Sequence, residues 1–421
     1  MDMTTFLFAI ALWLFLVIVV FGVSQPNVLW QLWREPSFRQ PILIIESDDW
    51  GPGPPEDARA LQQLAAVLAR HHDVRGRHAV MTLGVLLAVP DTRRMRDVNC
   101  REYIAATVSE PEFAPVVEAI RRGVKANVFS PQLHGMEHYW PAAVLEAAGP
   151  RPEVRAWLVQ QGIPRTEQLP PPLQSRWIDA SVLPSTELLE KEVVLAASRE
   201  AEFFSRVFGV GASVAVPPTF VWTEHTEKGW SKAGVKFVVT PGTRYFARDH
   251  KGALISTGER IHNGQVGAGG LMYVVRDDYM EPALGHRAER AVAAVEAKAA
   301  LGRPTLLETH RFNFTESGPR LNHALGEIDR LLATILDRFP DVLFMSTGEL
   351  AEAIARSDPA LIDRRFLART RCCLLRSART PRLKKMAWIT GAIVPACLVY
   401  WLTCLLTGAS RAGAKISPAS P

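Results

Sequence analysis

The run Ile42 to Gly51, ILIIESDDWG, constrains the fold more than any other stretch of these 421 residues. Ile42, Leu43, Ile44 and Ile45 are apolar at every position, so neither face of the strand they form suits water, and such a strand belongs in a parallel sheet or barrel covered on both sides. Ser47, Asp48 and Asp49 follow at its carboxyl end, where α/β folds gather reactive groups, and Trp50 and Gly51 open the next loop. Adjacent carboxylates repel, so water, a cation or a shared proton has to offset them. A second adjacent pair, Asp277 and Asp278, reads as ordinary solvated loop acids.

Apolar strands and amphipathic helices alternate from there on. Helices are expected at Glu56 to Ala69, Glu112 to Arg122, Leu188 to Phe208, Glu224 to Ala233, Pro282 to Leu301 and Arg320 to Arg338. Strands are expected at His78 to Leu83, Ala126 to Ser130, Ser213 to Val216, Val235 to Val239, Thr305 to Thr309 and Val342 to Met345, with weaker ones at Ala253 to Ser256 and Leu271 to Val275. Trp140 to Gly162 is helical but interrupted at Gly149-Pro150, and the Pro-rich Arg165 to Pro184 reads as an insertion over one face of the core. Strands alternating with helices over some 300 residues imply parallel pairing with right-handed crossovers, and a barrel closes such a sheet economically.

The two ends differ in kind. Phe6 to Val23 and Met386 to Ala409 carry no charge over 18 and 24 residues, each long enough to cross a bilayer as a helix. Gly22-Val23-Ser24 would suit signal cleavage, but Met1 to Thr5 lacks the usual positive charge, which favours an anchor. Nine Lys and Arg lie between Arg364 and Lys385; without them the formal charge of +5 becomes about −4, so the basicity is local and does not point to nucleic acid. It fits an element beside the membrane drawn to anionic headgroups, or a simple topology signal. Positive flanks put the body on the cytoplasmic side of a bacterial-type inner membrane rather than the periplasmic side, with both termini outside. Cys100 is alone in the body, so no disulfide framework forms there.

His134 and His138, in LHGMEHY, share one face if that segment makes a helical turn, and both follow a strand. With the carboxylates at the end of the first strand they make a two-His, one-Asp site with open positions for water, as in a catalytic metal centre. His310, ending PTLLETH, opens onto the same rim and suits proton transfer to a leaving atom. Trp50, Tyr139, Trp140, Phe220, Trp222, Phe312 and Phe314 recur beside these motifs, as a site for sugar rings requires. Arg311 and Asn313 suit hydrogen bonds to sugar hydroxyls or a phosphate.

Asp-Asp after a first strand, HxxxH, Pro217-Pro218 after a middle strand and a strand ending in His310 together resemble the polysaccharide deacetylase family, of NodB homology and carbohydrate esterase type, over roughly Pro41 to Ala355. The resemblance implies a distorted (β/α)7 barrel and metal-dependent removal of an N- or O-acyl group from a sugar. It implies Asp48 as catalytic base, Asp49, His134 and His138 as metal ligands, and His310 as the catalytic histidine. The divalent ion implied is zinc, with cobalt or nickel as alternatives. Two departures stand out. Val216 occupies the place of the Arg that orients the base, leaving Arg244, Arg276 or Arg311 to substitute in space, and a fourth motif of the family is not evident.

The chain is thus expected to comprise a transmembrane helix or signal anchor (5–23), a connector (24–40), the barrel (41–358), a basic juxtamembrane segment (359–385), a transmembrane helix (386–409) and a disordered tail (410–421). The expected activity is N-deacylation of an amino sugar in a polysaccharide or lipid-linked glycan, with Trp50, Trp140, Thr219, Trp222, Arg311 and Asn313 contacting substrate. A glycoside hydrolase or a noncatalytic sugar-binding or assembly subunit are the alternatives.

Overall fold

The computed structural model describes residues 2–315 and 318–407; the expected tail lies outside them. Nine strands form one parallel sheet: β1 (Ile42–Trp50), β2 (Met81–Val85), β3 (Phe129–Leu133), β4 (Val214–Ala215), β5 (Phe237–Thr240), β6 (Met272–Val275), β7 (Asp278–Tyr279), β8 (Thr305–His310) and β9 (Leu343–Phe344). Their spatial order is β6-β5-β4-β3-β2-β1-β8-β7, with β9 on the first two residues of β1. The outermost strands β6 and β7 are consecutive in the chain, separated only by Arg276 and Asp277. Three residue steps span at most about 11 Å, so the two edges meet there and the sheet must curl on itself. That is a distorted barrel, closed at one end by a strand that changes partners.

Helices of nine residues or more pack outside it: α3 (Pro55–Leu68), α4 (Ala114–Lys125), α5 (Glu190–Phe208), α6 (Glu224–Lys232), α7 (Ala288–Ala300), α8 (Pro319–Arg338) and α9 (Thr347–Arg356), preceded by α1 (Met3–Ser24) and α2 (Pro26–Arg34). β1 is buried at all nine positions, acids included. β2 and β3 begin about three residues later than the hydrophobic pattern predicts. The turn before β3 uses Asn127 at φ 56°, and the delay carries His134 to the strand's end. The helix expected over Pro282 to Leu301 is broken by Gly285 at φ 85°, a left-handed position that glycine adopts without strain. The Pro-rich insertion and the short helices Pro141–Ala147 and Pro152–Val159 build a satellite core of Tyr139, Val144, Trp157, Leu158, Leu169 and Leu173 beside the histidine loop.

At the other end of the barrel lie the apolar elements. α1 is long and apolar enough to cross a membrane and sits near the N-terminus, a description that an anchor and a signal sequence both fit. The helix expected over 386–409 is not continuous. It falls into α11 (Pro381–Ile389) and α12 (Ile393–Thr407), which are bent by 112° at the break. Gly391 at φ 73° makes the turn, and Pro395, which has no N–H for a helical bond, follows closely. The basic segment before it is α10 (Phe366–Ala378), docked to the barrel by Arg376. That guanidinium is 1% exposed and donates to the carbonyls of Glu35, Pro36, Leu301 and Gly302, while the Glu35 carboxylate lies 3.6 Å away. Replacing it takes a donor from four carbonyls, while the Glu35 carboxylate keeps Arg303, which donates to it at 2.8 and 2.7 Å. Arg376→Gln is expected to cost about 1–3 kcal/mol in the solubilised protein and to speed proteolysis between Ser357 and Arg365, read by denaturant titration and timed digestion.

Candidate metal centre and its carboxylates

Parallel pairing puts Asp48 in register with His310 on β8, so two of the expected site residues are neighbours by backbone geometry alone. The β1–β2 register shifts between Ser47 and Trp50, and Asp49 within that irregularity has φ 70°, a left-handed conformation rare for a residue with a side chain. The kink turns Asp49 toward the histidines while Asp48 stays in the barrel. Gly84 on β2 leaves the space that the Asp48 carboxylate fills: a Cβ there would stand 2.2 Å from Asp48 Oδ1.

His134 Nε2 lies 3.3 Å and His138 Nε2 3.6 Å from Asp49 Oδ1. The HGMEH segment is a loop, not the helical turn expected, and Gly135 at φ 110° lets it fold back so that both rings still converge. Buried Arg176 supports the loop from behind, donating to the carboxylates of Glu137 at 2.7 Å and Glu200 at 2.8 Å; Glu200 also accepts from Met136 N. Each histidine donates its Nδ1–H to a carbonyl, His134 to Val216 at 3.0 Å and His138 to Gln174 at 2.7 Å. Those bonds fix the tautomer and leave both Nε2 atoms as lone pairs aimed at a carboxylate oxygen.

Three acceptors therefore face one another, and Asp49 Oδ1 and His134 Nε2 are buried without a hydrogen-bond partner. Only a cation or a proton relieves that arrangement. The three donor atoms lie within 4.8 Å of one another, a set that fits a divalent ion. The electrostatics of Asp49 and His138 agree, while His134 is drawn toward the protonated form that a bound cation would displace. Burial raises the Asp49 pKa, but His138 and His134 outweigh it and hold the carboxyl well below its ordinary range. Burial lowers His138 to about 4, a neutral ligand at physiological pH, whereas in His134 the charges of Asp48 and Asp49 overcome burial and raise the pKa.

Asp48 answers to a different partner. Arg276, at the crossing from β6 to β7, is 1% exposed and donates to Asp48 Oδ2 at 2.6 Å and Glu46 Oε2 at 2.6 Å, with Glu308 Oε2 at 3.1 Å. Of the three arginines able to replace the one missing at Val216, it is the one that reaches the base. Arg244 stands 3.8 Å from Glu224 and Glu227, and Arg311 donates to Pro52 O beside Asp57. Burial raises the Asp48 pKa, but Arg276 and then His134 lower it further, so the carboxylate stays ionised; its Oδ1 has no hydrogen-bond partner.

His310 Nδ1–H donates to Glu281 Oε1 at 2.6 Å, and its Nε2 faces Glu308 Oε1 at 3.5 Å. Burial opposes its protonation, but Glu281 first and then Asp49 and Glu308 raise its pKa to about 10. It is an imidazolium at neutral pH.

The expected substrate contacts divide. Trp50 and Trp222 are 0% exposed: Trp50 stacks on Phe314 and donates to Ser47 Oγ, and Trp222 donates to Glu227. Both are core residues, so their expected role is corrected. Asn313, 2% exposed, bonds Glu281, Thr309 and the His310 carbonyl, and Arg311 is engaged as described, so both hold the site together instead of contacting sugar. Trp140 and Thr219 remain partly exposed. Thr219 and Phe220 have φ 54° and 55°, and the Thr219 hydroxyl bonds Ser175 at 2.7 Å. Asp277 and Asp278 pair with Lys298, as ordinary acids do.

Glu281 and Glu308 were missed by sequence reasoning, and Arg276 was foreseen only as one of three arginines able to stand in for the one missing at Val216. The available signal was an acid inside each of two apolar strands, Glu46 and Glu308, which are cross-strand partners and need a cation between them. Arg276→Met is expected to destabilise the fold by about 3–5 kcal/mol, because it leaves three buried carboxylates without their counter-ion; adding Glu46→Gln should recover part of that loss in denaturant titrations.

No protein-family model and no curated protein matches this chain. Solved structures similar to it include polysaccharide deacetylases and family 4 carbohydrate esterases. A protein assigned as a glycoside hydrolase/deacetylase from Parabacteroides distasonis shares 10% identity over 76% of this chain and 72% of its own, with a TM-score of 0.42. The family 4 carbohydrate esterase from Streptomyces lividans shares 11% over 75% and 97%, with a TM-score of 0.35. A 4-alpha-glucanotransferase from Thermococcus litoralis shares 9% over 74% of this chain with a TM-score of 0.38, and the chain spans only 40% of its length. These likenesses are too slight to decide an activity, which rests on the side chains at the rim.

Proposed function

We propose that the protein is a membrane-anchored, metal-dependent deacylase that removes an N-acyl group, N-acetyl first among them, from an amino sugar of a glycan. One observation carries the reading: the unprotonated nitrogens of His134 and His138 and an oxygen of Asp49 converge with no donor among them, beside an arginine-held carboxylate and a cationic histidine. Asp49, His134 and His138 would hold the ion, zinc before cobalt or nickel. Bound there, a divalent ion polarises an acyl carbonyl and makes a water easier to deprotonate.

The remaining chemistry belongs to the chain. Asp48, kept ionised by Arg276, accepts the proton of the attacking water at its free Oδ1. Its low pKa makes it a weak base, suited only to a water whose proton is already loosened. His310 gives the Nε2 proton to the departing amine, without which the tetrahedral adduct reverts, and Glu281, accepting from Nδ1–H, stabilises the imidazolium that carries it. The loop at Thr219, held by Ser175, brings a backbone N–H toward the oxyanion.

The geometry favours a polysaccharide over the lipid-linked saccharide also expected. Asp48 stands six residues beyond the start of β1, about 20 Å of strand, whereas α2 and α10 attach at the opposite end through Glu35 and Arg376. A noncatalytic role is disfavoured because Arg276 supplies the charge that Val216 cannot. A glycosidase is disfavoured because its two carboxyl groups must flank a bond, while Asp49 is turned onto two imidazoles. A cytoplasmic body remains part of the proposal, on the charge of the flanks.

Metal content and acetate release from N-acetylated glycans test the reading together. Asp48→Asn is expected to retain metal and lose about a hundredfold or more in kcat, while His134→Ala loses both; equal metal loss in the two variants contradicts the assignment. The pH profile tests the acid. His310 must be protonated to act, so activity falls as pH rises through its pKa of about 10. Removing the Glu281 charge lets burial prevail, so Glu281→Gln is expected to move the alkaline limb toward lower pH. Charge bound at the metal centre lowers that limb in both proteins, leaving their order unchanged.

A further inference from the structure

The apolar segment formed by α11 and α12 is long enough to cross a bilayer but is sharply bent where a simple crossing helix would run straight. α11 has nine residues, about 13 Å of helix, less than half of the roughly 30 Å hydrocarbon core. The chain then breaks at Thr390–Ala392 and turns by 112°. At that break, Trp13, near the middle of α1, donates its indole N–H to Thr390 O at 2.9 Å, and its ring lies within 3.3 Å of the position a Gly391 side chain would take. The turn thus sits level with the midpoint of α1.

From there α12 does not continue away from the barrel. It comes back against α10, presenting Ala392, Ile393, Ala396, Tyr400 and Thr403, a stripe at helical spacing that is less exposed than the rest of the helix. α10 is in turn fixed to the barrel base by Arg376, by Cys372 beside Gly302 and by Phe366 edge-on to Trp33. The opposite side of α11 and α12 is bare and apolar, with Trp388, Ile389, Val394, Leu398, Leu402 and Leu406 all at least half exposed. Arg379, Arg382, Lys384 and Lys385 flank the entry, a charge pattern that complements anionic headgroups.

We propose that α11 and α12 form a re-entrant hairpin that enters one leaflet beside α1 and returns, so that the carboxyl end of α12 lies on the same side of the membrane as the barrel. Its occupant is the lipid of that leaflet. This replaces the second crossing implied by length and hydropathy, and it holds α10 and the barrel base against the headgroups. Because the claim concerns α12 relative to the barrel, it stands or falls independently of the proposed chemistry and of which side the barrel occupies.

The test uses the full chain in sealed membrane vesicles of known orientation, with one protease-cleavable tag inserted after Lys251, in an exposed turn of the barrel, and another after Pro421. Both tags are expected to be lost together when protease is on one side and kept together when it is on the other. Loss of one with protection of the other overturns the proposal, as does recovery of the chain in the soluble fraction. A Gly391→Leu, Pro395→Leu variant removes the left-handed turn and the missing N–H; it is expected to straighten the segment and carry the carboxyl-terminal tag to the side opposite the barrel tag.

Discussion

A single guanidinium in the barrel interior makes the rest of the arrangement tenable. Glu46, Asp48 and Glu308 are buried side chains on two adjacent strands, and Arg276 touches all three. Isolating a carboxylate in an apolar core costs several kcal/mol, so three of them in one place are sustainable only around a fixed cation. Gln132 and Thr347 complete the network by donating to Glu46. Arg276 also sits where the chain leaves β5 for β8, so the residue that neutralises the interior is the one at which the barrel closes. Closure and charge balance are one event, and a chain that failed to bring β7 onto β8 would leave Asp48 without a counter-ion.

The two aspartates at the end of β1 show how adjacent, identical side chains acquire different tasks. Asp48 keeps strand geometry, points into the barrel and is governed by Arg276. Asp49 takes a left-handed backbone, points out to the rim and is governed by two imidazoles. Such a conformation costs of order 1–3 kcal/mol at a residue with a side chain. Here it separates two charges that would otherwise compete for one partner. The histidines are prepared in a complementary way, since their carbonyl partners come from Val216 and Gln174, on the middle strand's exit and in the insertion. The insertion therefore supports the candidate metal centre and is not a mere cover.

Much of this was legible in the chain because it is local. Periodicity gave the alternation of strands and helices, and motif position gave Asp48, Asp49, His134, His138 and His310, all at or just past the ends of strands. What was hidden depends on distance in sequence. Glu281 serves a histidine 29 residues away, with nothing near it to announce the pairing, and Arg276 serves an aspartate 228 residues away, so the sequence could name it only as one of three candidates. The aromatic residues misled for a related reason: Trp50 and Trp222 neighbour the motifs in sequence, but side chains at the base of a rim pack into the core, and burial cannot be read from adjacency. Hydropathy could not foresee the break at the carboxyl end because it counts residues and ignores the left-handed glycine that divides the segment.

In the proposed reading, the attachment of the apolar elements to the barrel base bears on which glycan can react. Parallel strands all point the same way, so the end at which they begin and the end at which they deliver their reactive groups are separated by the strand length, and a barrel docked by its base holds its rim away from the lipid. A sugar tied directly to a lipid carrier would have to bend back over the outside of the barrel to reach Asp48. A chain of sugars extending from the membrane, or passing over it, meets the rim without such a detour. The same rim is narrowed on one side by the insertion that supports His138, leaving Trp140 and the Thr219 loop as its partly open polar and aromatic edge. Anchoring, substrate length and the order of the strands are thus tied together by the direction in which β1 runs.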